Sequence, residues 1–212
     1  MNSRNYHLDL FGLLALVVFT TFTFISMSLY PQPYSPLFDW LSNLGNVYLN
    51  PWGAVFFNWG CIITGIILIP FIMYFYRWDT GKISEKILLG ATIVLGVFAS
   101  ISLIGVGIFP ETHIQIHVLA ATGVFESLFL IVILMSAAIF NHPKFMISVG
   151  FIGAVAVIID LLFITFLSLP SYHDALASIH STIPIPGLEW SAVFSSLIWL
   201  AALSFNMYKN NV

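Results

Sequence analysis

Six long apolar runs, separated by short polar or proline-rich segments, account for nearly all of this chain. They fall at about Leu10–Tyr30, Trp52–Tyr76, Ile87–Phe109, Ile114–Phe140, Phe145–Leu167 and Trp190–Tyr208. Each has close to the roughly 20 residues that a helix needs to cross a hydrocarbon core about 30 Å thick. No segment is left for a soluble domain. The pattern predicts an all-α integral membrane protein: one domain over 1–212, folded as a six-transmembrane-helix bundle.

Composition agrees. With 59% hydrophobic and 16% aromatic residues and a mean hydropathy of +0.99, the chain is too apolar to keep a soluble surface wet. Arg4 precedes the first run as it would in a signal peptide, but the run is too long for an h-region and no A-x-A-like site follows, so a retained helix is expected. Cys61, inside the second run, is the single cysteine; it rules out an internal disulfide and a cysteine-based zinc site.

The basic residues add orientation. Arg4 lies before the first run, Arg77, Lys82 and Lys86 between the second and third, Lys144 between the fourth and fifth, and Lys209 after the sixth. All six fall on one side of the predicted bundle. Because cytoplasmic loops accumulate Lys and Arg, both termini are predicted to be cytoplasmic in a multi-pass protein of the cell (plasma) membrane, with segments 31–51, 110–113 and 168–189 facing outward.

Most other ionisable residues gather on that outer side: Asp39, Glu111, His113, His117, His173, Asp174, His180 and Glu189. In the first outer loop, "SPLFDWLSNLG" places Leu37, Trp40, Leu41 and Leu44 on one stripe with Gly45 as a stop, which predicts a short interfacial helix. The third loop repeats the theme with Leu176, Ile179 and Ile183, followed by Pro184 and Pro186 as breakers. The second is the most concentrated: in "GIFPETHIQIH", Thr112 and Gln115 are spaced as a capping box, so helix four is expected to begin there. His113 and His117, four apart, would then share a face.

Two chemistries suit such a helix mouth. Neutral imidazoles could hold a divalent metal such as zinc, with Asp39, His173, Asp174 or His180 as the third ligand. Alternatively, the helix N-terminus could seat a lipid phosphate with the histidines as donors. A wet helix end with neither ligand is the plain structural alternative.

The order "DWLSNLG", "NPWGAVFFNWGCIITG", "GVGIFPETHIQIHVLAATGVFESLF" resembles DUF998, a family of uncharacterised multi-spanning membrane proteins, over roughly Tyr34 to Phe129. More distantly it is similar to the six-span Frag1/DRAM/Sfk1 group. Matching positions are Leu41 to Gly45, Asn58, Phe109 to Glu111, His117, Ala120 and Ala121; Asn43 stands where that group tends to carry Asp, Pro110 replaces Gln, and His113 is added. The resemblance implies lipid handling and brings Ser42, Asn43 and Asn58 into the candidate headgroup site with His113 and His117.

Two carboxylates lie deeper, Glu126 in span four and Asp160 in span five. No Lys or Arg occurs in any span to neutralise them, so they are expected to be buried and hydrogen-bonded, or to face a wet cavity. If both face the bundle axis, a polar thread runs from His117 through Asn58 to Glu126 and Asp160.

Three functions fit. The chain could bind or handle membrane lipid through an outward pocket at the start of helix four. It could be a membrane-embedded hydrolase, with a metal on His113, His117 and His180 activating water and Glu111 or Asp39 as general base. Or it could be a structural subunit, docking a membrane-protein partner or a further copy of itself. There is no P-loop, GxGxxG or basic patch, and nucleic acid is not expected as a partner.

Overall fold

The computed structural model describes residues 7–78, 82–140, 145–168 and 185–210. Among these, six helices are long and apolar enough to cross a membrane: α1 (Phe11–Ser28), α2 (Ala54–Met73), α3 (Ile83–Ile108), α4 (Ile114–Phe140), α5 (Ile147–Ser168) and α6 (Ile185–Asn210). Short 3-10 turns extend α1, α2 and α4 at Leu8–Leu10, Tyr74–Trp78 and Glu111–His113. At 1.5 Å per residue the helices are about 27 to 40 Å long, matched to a bilayer core.

Each helix packs on the one before it, and α6 closes the ring against α1. Successive helices run antiparallel: Gly65 of α2 lies against Ser100 and Ile104 of α3, while Gly96 of α3 lies against Ile72. The ring therefore has two ends. One carries the residue 29–53 loop and the α3–α4 turn and is called here the loop end. The other carries the described basic residues Arg77, Lys82, Lys86 and Lys209 and is called the basic end. The start of α1 meets the end of α6 there, where the Leu13 N–H donates to Ser204 Oγ at 3.1 Å.

Small residues set the helix spacing, as expected where packing rather than hydrophobicity holds helices together. Gly153 of α5 is the tightest point, since a Cβ there would collide with Ser136 Oγ of α4 and lie 2.7 Å from Trp199 Nε1 of α6. Trp78, Trp190 and Trp199 are buried, so half of the tryptophans serve the core rather than an interfacial belt.

The element boundaries follow the apolar runs, with two differences. The sixth helix begins at Ile185 rather than near Trp190, and Pro186 sits inside its first turn. A proline there costs little, because the first N–H groups of a helix have no intrahelical acceptor to lose. The first-loop helix is shorter than predicted, a five-residue 3-10 turn at Leu41–Gly45. It does not lie flat on the interface: Leu41 and Leu44 are buried in the bundle while Leu37 is 57% exposed. The helix predicted in the third loop, with His173, Asp174 and His180, lies outside the described residues.

Candidate functional site

The loop between α1 and α2 folds inward because polar side chains hold its backbone at both ends. Asn50 is fully buried. Its Nδ2 donates toward Ser26 O at 3.2 Å, Ser26 Oγ at 3.0 Å and Leu44 O at 3.1 Å, and its Oδ1 accepts the Gly53 N–H at 3.1 Å. One amide thus ties the end of α1, the Leu41–Gly45 turn and the start of α2. Asn58 of α2 adds a bond to Gly45 O at 3.1 Å. Gly45 must be glycine at this contact, since a Cβ would collide with Asn58 Oδ1.

From the far side of the ring, α6 closes the same loop. Trp190 Nε1 donates to Asp39 O at 3.1 Å, and the Tyr34 hydroxyl, whose ring meets Trp190 edge-on, donates to Trp40 O at 2.7 Å. Burial pushes the Tyr34 phenol well above its ordinary pKa, assisted by the nearby Glu189 and Asp39 carboxylates. Glu189 is buried and accepts the Leu41 N–H at 2.6 Å, with the Ser42 N–H near the same carboxylate. These are free donors at the first turn of a helix, so the carboxylate acts as a cap supplied from a distant element.

Ser42 is shared between two carboxylates. Its hydroxyl donates to Glu111 Oε1 at 2.5 Å, and Glu111 Oε2 lies 3.4 Å from Asn46 Nδ2. Glu111 therefore fastens the 41–45 turn to the start of α4. No side-chain cap bond forms at Pro110, so the Thr112–Gln115 capping box is not what starts this helix; the turn closes through the His113 N–H to Pro110 O, at 2.8 Å.

His117 is 6% exposed, with Nδ1 2.9 Å from Phe109 O. A carbonyl only accepts, so Nδ1 carries the proton and a neutral ring keeps Nε2 as an acceptor. His113 belongs to the 3-10 turn ahead of α4 and is exposed. The two imidazoles that sequence spacing predicts on one face therefore differ in setting, His113 exposed and His117 buried. Among the described residues no three His, Cys, Asp or Glu side chains converge as a metal site would require; His180 lies outside them.

Ser42, His117 and Glu189 form the polar end of a cavity of about 80 Å³ inside the ring. Below them its wall is apolar, with Phe57, Leu103, Val124, Leu128 and Leu197 among the lining residues, and it reaches Leu68 and Leu200. From Glu189 to Leu200 along α6 is about 16 Å at 1.5 Å per residue. Ser196 breaks the apolar wall and donates to Asp160 Oδ2 at 3.1 Å, which satisfies a carboxylate that is 1% exposed.

The remaining predicted residues are placed differently. Asp39 is half-buried and accepts the Ser35 N–H at 2.7 Å, closing a turn within its own loop. Asn43 is half-buried and holds the 3-10 turn through its backbone. Asn58 binds the loop and does not line the cavity. Glu126 is exposed on α4 rather than buried: it lies nine residues from His117, about two and a half turns, and therefore on the opposite side of the helix. The polar thread consequently runs along α6, through Glu189 and Ser196 to Asp160, and not through Asn58 and Glu126. Neither Glu189's capping role nor Asn50 is signalled by any local spacing.

The model of the family described as proteins of unknown function (DUF998) matches residues 13–206, all six helices included. The chain belongs to the DUF998 family. No curated protein and no solved structure matches it, so the resemblance to the Frag1/DRAM/Sfk1 group receives no support from these comparisons. In this DUF998 protein the match begins in α1 and ends in α6, and so takes in both the latched loop and the cavity beneath it.

Proposed function

We propose that this DUF998 chain binds a membrane lipid or similar amphiphile at the loop end of the helix ring, its head at the Ser42, His117 and Glu189 end and the first part of its apolar chain in the central cavity. The single observation that carries this reading is the cavity itself: apolar along about 16 Å of helix and polar at one end, where three separate elements meet. That division matches an amphiphile, and ligand sites are generally apolar hollows with a few placed polar groups.

The polar groups also suggest the kind of head. Glu111 and Glu189 flank Ser42, and the described Lys and Arg residues all sit at the other end of the bundle. Glu111 also sets a carboxylate beside the start of α4, where its charge would oppose a bound phosphate. With the His117 Nε2 as an acceptor, the site favours a head that donates hydrogen bonds, a hydroxyl or an amine, over a bare phosphate. By the positive-inside rule this end faces away from the cytoplasm.

Native mass spectrometry of the chain released from mixed-lipid nanodiscs tests the reading. Wild type is expected to retain lipid. Ala121→Phe, which fills the cavity, is expected to lose it while remaining folded, and His117→Ala to narrow the range of heads retained. Lipid-free wild type, or an Ala121→Phe variant that holds as much lipid as wild type, would refute the proposal.

A further inference from the structure

A carboxylate in the middle of a membrane span ordinarily faces the bundle interior or pairs with another group. Glu126 does neither. It is exposed on α4, and among the described residues it makes no hydrogen bond or ion pair. Along the helix it lies about 18 Å from Ile114 and about 21 Å from Phe140, too deep for its side chain to reach either end.

Its neighbours are not randomly spaced. Gln115, Leu119, Thr122, Glu126, Phe129 and Ile133 follow one another at alternating steps of four and three residues. That spacing puts them on one stripe of α4, with Glu126 near its middle. All are exposed except Phe129, which is half-buried, and Leu119 is 74% exposed. The chain's own bundle uses the other face of α4, with His117, Gly123, Ser127 and Ile131 buried. So α4 buries one face within the chain and turns the stripe that holds Glu126 outward.

We propose that the second face docks another copy of this chain, α4 against α4 about a two-fold axis, with the two Glu126 carboxyls hydrogen-bonded to each other across the seam. Chemical complementarity selects this occupant. Lipid tails offer a carboxyl nothing, whereas a carboxyl that keeps its proton both donates and accepts, so its own copy is a complete partner. A two-fold axis also sets each seam residue opposite its counterpart, which brings the Thr122 hydroxyls within one turn of the carboxyl pair. A single polar position in an otherwise apolar seam fixes register in the same way in coiled coils.

Disulfide capture in liposomes is the direct test, in the full chain with Cys61→Ser as background. Thr122→Cys is expected to form a cross-linked dimer on mild oxidation. Val94→Cys on α3 and Phe151→Cys on α5, at exposed positions away from the seam, are expected not to. A dimerisation isotherm measured by fluorescence in liposomes should then show Glu126→Leu weakening association by about 5- to 30-fold, the worth of one interhelical hydrogen bond. Glu126→Gln, which keeps a donor and an acceptor, should stay within a few-fold of wild type. Equal cross-linking at all three cysteines, a chain monomeric at every density, Glu126→Leu associating like wild type, or capture of a different protein by Thr122→Cys in native membranes would each overturn the proposal.

Discussion

Replacing Asn50 with alanine should loosen the loop end more than any other single polar change there. The Asn50 amide has two hydrogens for three acceptors, so at any moment it donates two bonds and accepts one. At about 0.5 to 1.5 kcal/mol net for each bond, three bonds amount to roughly 1.5 to 4.5 kcal/mol. The upper half of that range is expected, because Asn50 is fully buried and its loss strands the Gly53 N–H away from water and leaves the Leu44 carbonyl with Ser26 Oγ alone. For a chain of this size, about 3 kcal/mol corresponds to a fall in melting temperature of roughly 6 to 12 °C.

The chain carries its own reporter. Cys61 is the single cysteine and is buried beside the cavity, so a thiol-reactive dye becomes fluorescent as the bundle opens on heating. Two companion variants sharpen the expectation. Asn50→Asp removes both donors and sets a carboxylate against two carbonyl oxygens, so it should melt no higher than Asn50→Ala. Asn58→Ala removes one bond from a half-buried residue and should cost about 1 kcal/mol. An Asn50→Ala protein that melts within about 1 °C of wild type, or above Asn58→Ala, would refute the assignment of the loop's order to this amide.

Two glycines separate packing from backbone freedom. Gly153→Ala forces a methyl against Ser136 and Trp199 and should destabilise by about 1 to 3 kcal/mol; Gly90→Ala, with nothing within 4 Å of its Cβ, should be neutral or stabilise by up to about 1 kcal/mol, both read in the same melt. Tyr34 sets an alkaline limit. Its folded pKa is raised above the ordinary value of 10.0, so its contribution to stability is complete below pH 10 and declines as pH rises, because the unfolded phenol ionises first while the folded one stays protonated. Thermal melts across that range should show Tyr34→Phe losing less stability above pH 10 than wild type does, and parallel losses would refute the assignment.

Much of this architecture was legible in the apolar runs, because a bilayer imposes a length that few other structures share. The fourth helix has the predicted limits, Ile114 and Phe140. Pro186 misled the start of the sixth, since a proline in the first turn looks the same in sequence as one that breaks a helix. The site was legible only in part. His117 and Ser42 do reach the polar end of the cavity, but His113, one turn nearer the helix start, is exposed and does not line it. Glu126 could have been assigned outward by counting turns from His117. Glu189 could not have been paired with Leu41 by any spacing rule, because that contact joins residues 148 apart.

That separation bears on the order of assembly. The backbone donors of the Leu41–Gly45 turn enter the membrane early in synthesis, whereas the carboxylate that accepts from Leu41 arrives with the sixth helix. Until α6 is in place, the Leu41 N–H lacks its acceptor and the cavity lacks one wall. The chamber is thus sealed by the sixth helix, and a chain halted before Glu189 would have five helices around an unfinished hollow.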